Sequence, residues 1–445
     1  ALMVVPAGAS KGHGLYVALG VLGISHHNAI AFGDAENDHS LLEGCELGIA
    51  VANAVPALKA RADIVLREPD GSGVAAFLRG PVLREGLRIL PARWHVELGH
   101  YVDGFPVTLP ASQVNVLIAG ATATGKSWLA GLIAERLVEA EYSVCILDPE
   151  GDHPGLGRLR GVTTLGGPAG APTVSEIRRN LQHRFGSVVV DASALSLDER
   201  PAFYVAALEQ IDEQRKANGL PHWIFLDEAQ LPAGAEMTRF RPGSTAAKGF
   251  CLVTWKPEDI AQAVLDDIDV LMLTSGFPAP EGLAWLPERF HREETEMALA
   301  RLRPGEALLI MPGTGGGPRV FRTGARAISH VRHWHKYVTS RLPEHRRFHF
   351  VAGGFPTGHS AANLAEFHHE VQRAPAASLL HHAANRDFSR WVAEVIRDDA
   401  LASALRGIET RFPANDARAA EAIRASVLEA IRARYLEEGG AAKAG

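Results

Sequence analysis

Cysteine is scarce in this chain, with three in 445 residues. Cys45, Cys145 and Cys251 stand far apart, and the last two sit inside apolar runs. A disulfide framework and a zinc cluster are therefore excluded, and the three read as reduced core residues of a cytoplasmic protein. Long apolar runs are missing too: none approaches the about 18 residues needed to span a membrane. The apolar N-terminus has no basic region ahead of it and carries Lys11 and several glycines, which excludes a secretory signal peptide. Positive charge is not in excess either. A net charge of −6 rules out a surface that is basic overall. A local nucleic-acid channel survives, because whole-chain charge averages over faces. Internal repeats and low-complexity tracts are absent apart from a Gly/Ala tail. What is present is 47% apolar and 22% charged residues, the make-up of a globular protein. The length suits about two to four domains. The chain opens with Ala1 rather than Met, inside what reads as a strand, and so reads as a fragment.

The stretch Asn115 to Ser127, NVLIAGATATGKS, organises the rest. Val116 to Ala119 is a short apolar run that suits a buried strand. Gly120 and Gly125 bracket four small residues before Lys126 and Ser127, and Trp128 to Leu137 has helical spacing of apolar residues. Strand, tight turn and helix N-terminus come in the order that a phosphate-binding loop requires. Small residues let successive N–H groups point into one concavity, and the helix N-terminus adds partial positive charge. Gly120, Ala121, Thr122, Ala123, Thr124, Gly125, Lys126, Ser127 and Trp128 are thus candidate ATP contacts. Lys126 reaches toward the β- and γ-phosphates, and the Ser127 hydroxyl is a candidate Mg²⁺ ligand.

Further apolar strands follow, each ending in polar residues. Ser143 to Leu147 ends in Asp148-Pro149-Glu150-Gly151-Asp152, and Ser187 to Val190 in Asp191. His222 to Leu226 ends in Asp227-Glu228-Ala229-Gln230. A strand closed by Asp-Glu about 100 residues after a phosphate loop supplies what Mg²⁺ and water activation need. Asp227 is the candidate metal ligand beside Ser127, acting through a water, and Glu228 the candidate base. Gly249 to Val253 is a strand ending at Thr254, a polar tip suited to sensing the γ-phosphate. Asp269 to Leu273 and Ala307 to Met311 complete a mainly parallel sheet with crossover helices, an α/β architecture.

Asp103-Gly104-Phe105-Pro106-Val107, the phosphate loop, DPEGD, LDEAQ and PGEALL recur in that order in the HerA/FtsK-like ATPases, which residues 100 to 325 resemble. That resemblance implies Mg²⁺-dependent ATP hydrolysis and a homo-oligomer, commonly a hexamer. Many members act on DNA, so nucleic acid is a candidate partner; a membrane is not. Ala123 and Thr124 stand where many members have Gly-Ser, and Trp255 where Gln is usual. An arginine acting in trans has no clear counterpart; Arg289, Arg292, Arg301 and Arg303 are the candidates.

Earlier in the chain, Ala29 to Phe32 leads into Gly33-Asp34-Ala35-Glu36-Asn37-Asp38. A strand ending in G-D-x-x-N-D places carboxylates where open α/β sheets bind ligands. Asp34 and Asp38 lie four residues apart, a spacing that lets both face one Mg²⁺. With Lys11, Leu41-Leu42 and the run from Asn53 to Asp63, residues 9 to 78 resemble the Cof-like branch of the haloacid dehalogenase superfamily. The resemblance implies that Lys11 is the phosphate-side catalytic lysine and Asp34 a Mg²⁺ ligand, with Asn37 and Asp38 in support. Such phosphatases use an aspartate nucleophile in a D-x-D motif well upstream of that lysine. The D-x-D of this chain, Asp267-Ile268-Asp269, lies far downstream instead.

At the other end, His330, His333 and His335 lack carboxylate or thiolate partners nearby, so the stretch reads as a solvated basic face and not a metal site. Phe348 and Phe350, interleaved with Arg346 and Arg347, read as a linker packing aromatics on a neighbour. Residues 361 to 405 read as short helices with Phe388 and Trp391 in their core. Asp416 caps a final helix carrying Ile423, Val427, Ile431 and Tyr435 as a stripe. The division expected is a haloacid dehalogenase-like part (1–80), a linker (81–112), a P-loop ATPase domain (113–328), a linker (329–350) and a helical module (351–445). The function expected is ATP hydrolysis. Its rival is a sugar-phosphate phosphatase with a regulatory ATPase domain.

Overall fold

In the computed structural model, the described residues are 6, 8–84, 89–91, 93–121, 124–167, 170–196, 198–231, 248–275, 283–303, 305–314, 316–328, 342, 344–396, 398–411 and 417–433. The chain forms two compact units, residues 1–331 and 332–445. No helix among the described residues is long and apolar enough to cross a membrane.

The first unit opens with the helix Lys11–Leu22, capped by Ser10, whose side chain accepts from the His13 N–H. It packs beside a small parallel sheet, β1 (Ile30–Gly33), β2 (Leu47–Ala50) and β3 (Ile64–Val65), in that order. Leu42, Cys45, Ala50 and Leu58 form its core.

Among the described residues the central sheet has eleven strands. In chain order they are β4 (His95–Tyr101), β5 (Pro106–Pro110), β6 (Val116–Ala119), β7 (Val144–Asp148), β8 (Val162–Gly166), β9 (Ser187–Asp191), β10 (Trp223–Leu226), β11 (Phe250–Thr254), β12 (Val270–Thr274), β13 (Glu306–Ile310) and β14 (Arg319–Thr323). Their order in space is β5-β4-β14-β13-β12-β6-β11-β10-β7-β9-β8. From β12 to β8 every pairing is parallel. These are the unbroken apolar runs of the sequence, and burial on both faces is the reason for them. Leu117, Cys145, Ile224 and Leu252 enter the core on one face. Their neighbours Val116, Ile146, Phe225 and Val253 enter the core on the other.

The sheet is mainly parallel, as expected; its exception is strand β13, which pairs antiparallel to both β12 and β14, because the run from Ala307 to Met311 is equally apolar in either direction. The stretch 81–112, read as a linker with one or two short strands, does hold two, and β4 and β5 extend the sheet antiparallel from β14. They bury Val96, Leu98, Val107 and Leu109 against the face that carries the loop helix.

The N-terminal segment is fastened to this sheet by a buried polar cluster. Glu46 accepts from the Tyr142 hydroxyl at 2.8 Å and from the Ser112 hydroxyl, and His27 Nδ1 lies 2.8 Å from it. The other ring nitrogen of His27 donates to the Ala140 carbonyl at 2.9 Å, and the Tyr142 ring stacks on the imidazole at 3.6 Å. The Trp94 indole N–H donates to the Glu46 carbonyl.

The second unit begins with a hairpin, β15 (Phe348–Ala352) and β16 (Phe355–Ala361), followed by short helices from Leu364 to Arg432. Phe348 and Phe350 are buried in this unit's own core with Phe367, Phe388 and Trp391, so they are not linker residues. Ile423, Val427 and Ile431 join them. His330, His333, His335, Asp416 and Tyr435 lie outside the described residues.

Candidate functional site

The loop between β6 and the helix Lys126–Glu139 turns where its glycines permit. Gly125 has φ 104°, a conformation other residues rarely adopt. A Cβ on Gly120 would lie 1.9 Å from the Thr274 hydroxyl, so only glycine lets β12 approach the loop. Thr124 donates to the Ala121 carbonyl at 2.7 Å and stands 2.6 Å from Thr274 Oγ1. Thr122 and Ala123 lie outside the described residues. Lys126 is buried and its ammonium donates to the Ala121 carbonyl at 2.9 Å, curled over the loop where phosphates would sit.

Trp128, one residue beyond Ser127, shares a helix face with Gly131 and Glu135. Arg326, just after β14, lies in the groove on that face. Its guanidinium is 5.5 Å from the Trp128 ring centroid and its Nε bonds Glu135 at 2.7 Å, with both side chains almost fully buried. A Cβ on Gly131 would meet that guanidinium at 2.3 Å.

The ends of two adjacent strands, β7 and β10, bring the acids together. Ser127 donates to Asp152 Oδ2 at 3.2 Å. Asp148, at the end of β7, accepts from the N–H groups of Asp152 and His153 at 2.9 and 2.8 Å. His153 Nε2 lies 3.1 Å from Asp227 Oδ2 at the end of β10. Burial pushes the Asp148 carboxyl up to about 7; His153 opposes the rise, while Asp152 and Asp227 add to it. Burial alone would lower His153, but its bond to Asp227 and the surrounding carboxylates raise it above the ordinary histidine value. Asp152 on the Ser127 hydroxyl, with Asp148 and Asp227 gathered about His153, is a donor set of hard oxygens that fits Mg²⁺. Asp148, Asp152 and His153 were not singled out as site residues in the sequence; DPEGD at a strand end was the available signal.

Glu228 has φ 49°, a left-handed conformation that costs a non-glycine residue about 1–2 kcal/mol. The turn takes the chain out of β10 at that point, and the Ala229 N–H still bonds the Val253 carbonyl of β11. Glu228 and Gln230 thereby face one another: the Gln230 amide donates to Glu228 Oε2. Thr254 is fully buried and donates to Gln230 Oε1 at 2.6 Å. Arg289 and Arg292 are engaged elsewhere, on the carbonyls of Leu265 and Ile268 and of Ala284 and Leu286. Arg301 and Arg303 are exposed.

At the small sheet, the expected pair of metal-facing carboxylates is not assembled. Asp38 bonds Lys11 through one oxygen and the N–H groups of Asp34 and Ala35, both at 3.0 Å, through the other. Burial works against its charge, but those bonds hold its carboxyl below the usual range. Asp38 is therefore a turn-former tied to Lys11, and only Asp34 turns an exposed carboxylate outward. In the second unit, His381, His382 and Asp387 cluster within 4.8 Å. His382 is committed there, with Nδ1 on Asp387 at 2.7 Å and Nε2 accepting the Val351 N–H at 2.8 Å.

Residues 1–78 match the family model for haloacid dehalogenase-like hydrolase. Residues 96–208 match that for the central domain of helicase HerA. A phosphoglycolate phosphatase of Methanopyrus kandleri is 48% identical over 69 residues, which is 16% of this chain and 30% of that protein. The chain thus spans less than a third of that relative. VirB4 of Thermoanaerobacter pseudethanolicus aligns over 54% of this chain and 99% of its own, at 13% identity and a TM-score of 0.41. The genome packaging NTPase B204 of Sulfolobus turreted icosahedral virus 2, solved with AMPPCP, aligns over 48% of this chain and 99% of its own, at 16% identity and a TM-score of 0.36. The chain carries a haloacid dehalogenase-like segment joined to a HerA-like P-loop domain.

Proposed function

We propose that the Gly120–Ser127 loop binds ATP with Mg²⁺ and that the chain hydrolyses the β–γ bond. The observation that carries this reading is the run of contacts at the C-terminal ends of the parallel strands, Ser127 on Asp152, His153 on Asp227 and the Glu228 N–H on Asp227, with Lys126 curled over the loop beside them, the place where open α/β sheets bind ligands. Backbone N–H groups at the start of the loop helix receive the phosphates. Lys126 leaves the Ala121 carbonyl to neutralise the β- and γ-phosphates. Ser127 and Asp227, with Asp152 beside them, would hold Mg²⁺, which supplies charge neutralisation on the phosphate oxygens. Glu228 takes the proton of the attacking water. Thr254 and Trp128 flank the nucleotide at its γ-phosphate and on the helix side.

The proposal includes self-association, since an arginine supplied in trans by a neighbour stabilises charge in related NTPases. The candidates Arg289 and Arg292 are tied to carbonyls of their own segment. Exposed Arg301 and Arg303 remain to be offered to a neighbouring copy. Specific activity should then rise with protein concentration. Nucleic acid is the class of polymer that the name of the matched helicase family points to, and duplex DNA is the first ligand to try. For the N-terminal segment, Asp34 remains the Mg²⁺ ligand we propose, with Lys11 placed toward a phosphate through Asp38.

The test is nucleotide binding by the 445-residue chain and by Lys126→Ala. Loss of ATP binding or hydrolysis in the variant supports the assignment, because the phosphates lose their main fixed counter-charge. Unchanged binding and turnover would refute it.

A further inference from the structure

We propose that Gln230 is the positioning residue for Glu228, and that it ties the base's orientation to the tip of β11. The inference rests on the ATPase reading above and goes one residue beyond it. The geometry is a chain of three side chains. Thr254 Oγ1 donates to Gln230 Oε1 at 2.6 Å, and the Gln230 amide N–H donates to Glu228 Oε2. It crosses from β11 to β10 at the edge where the site acids converge.

Three features make this more than a chance polar contact. The first is the backbone. The positive φ of Glu228 breaks the alternation of a strand, and the Leu231 N–H closes the turn on the Glu228 carbonyl at 2.8 Å. Residues 228 and 230 are thereby set side by side, and the strain is held by pairing on both flanks: Asp227 N–H to the Leu147 carbonyl at 3.1 Å, and Ala229 N–H to the Val253 carbonyl at 2.8 Å. The second is the polarity of the amide. Glutamine alone among neutral side chains of this length offers an acceptor to a hydroxyl and a donor to a carboxylate at once. The third is the accounting for Thr254. Its hydroxyl has one hydrogen, given to Gln230, and its oxygen accepts the Lys256 N–H at 2.9 Å. Thr254 therefore cannot donate to a phosphate and to Gln230 together.

Two arrangements of the site follow. With Thr254 bonded to Gln230, the amide is fixed and holds one oxygen of Glu228. A γ-phosphate oxygen that takes the Thr254 hydrogen releases the acceptor end of Gln230, and the amide can rotate with Glu228 toward the water. Gln230 thereby reports the state of Thr254 to the base without touching the substrate itself.

The test is a double-mutant cycle in the 445-residue chain, with phosphate release and nucleotide binding read in parallel. Gln230→Leu keeps the volume and removes both polar ends; Gln230→Met repeats this with a more adaptable side chain. The expected result is a fall in kcat of about 10-fold or more, from loss of orientation. ATP KM and nucleotide Kd should stay within about threefold of wild type. In the Glu228→Gln background the same substitution should lower kcat no further, because Gln230 acts through that carboxylate. A wild-type kcat in both Gln230 variants, or an equal loss in the presence and absence of Glu228, would overturn the role of Gln230 and leave the ATPase reading standing. A wild-type chain that binds no ATP would sink both.

Discussion

The phenolic hydroxyl of Tyr142, just beyond the loop helix, donates to the carboxylate of Glu46 in the N-terminal segment at 2.8 Å. Through that bond two segments matched to different families share one buried polar core. Glu46 also faces His27 and Ser112, so its removal leaves two buried groups and one half-buried hydroxyl without their acceptor. Glu46→Ala should destabilise the first unit by about 3–5 kcal/mol, the usual cost of breaking a buried charged network by one partner. Glu46→Gln, which keeps an acceptor oxygen, should cost less. Urea-unfolding midpoints measure both; a Glu46→Ala value within about 0.5 kcal/mol of wild type would mean that the network is not a fastening.

The same junction should make the fold sensitive to acid. His222 is half-buried and accepts the Ser143 N–H at 2.8 Å. Burial, with the charges of His27, Arg215 and His26 adding, drives its pKa well below the ordinary 6.5. His26 is lowered to about 4 by burial first and by His27 second. Above pH 6.5 folded and unfolded chains are both neutral at these rings and the stability is intact. As the pH falls below 6.5 the unfolded chain takes protons that the folded chain refuses, so stability declines, and for His26 the decline ends near pH 4. One such ring contributes a slope of up to about 1.4 kcal/mol per pH unit. Unfolding midpoints between pH 7 and 5 should fall less steeply in His222→Gln than in wild type. Parallel slopes would exclude His222 as the source.

Arg326 and Glu135 form a second buried pair, on the loop helix itself, at 2.7 Å. Arg326→Ala should cost about 3–5 kcal/mol, because Glu135, which keeps the Ala327 N–H on one oxygen, loses its buried counter-charge. Replacing both by leucine should recover much of the loss. Thermal unfolding of the two variants decides it: a double variant no better than Arg326→Ala would show that packing on Trp128, and not the unpaired charge, is what the arginine supplies.

Much of this was legible in the sequence, and what was not has a common cause. The loop, its strand and its helix occupy one continuous stretch, so Gly120 to Ser127 could be read directly. Strand ends marked Asp227 and Glu228. Hidden were features that depend on which strands become neighbours. His153 meets Asp227, and Gln230 meets Thr254, only because β10 lies between β7 and β11. Residues 95 to 110 read as short strands within a linker, but not as members of the central sheet, because their partner, β14, comes about 200 residues later and local pattern carries no such pairing. Asp38 looked like a ligand by spacing; the turn after β1 uses both of its oxygens. Phe348 and Phe350 looked like linker aromatics, since nothing local says that the hairpin closes on Phe367 and Trp391.

The central claim is that Glu228 activates water on ATP held by Lys126 and Ser127. Single-turnover phosphate release, measured beside nucleotide binding in wild type and Glu228→Gln, tests it most directly. The account predicts that Glu228→Gln binds ATP as wild type does and releases phosphate about 10²–10⁴-fold more slowly, since a neutral amide cannot take the proton. Equal rates of phosphate release from the two proteins would contradict it.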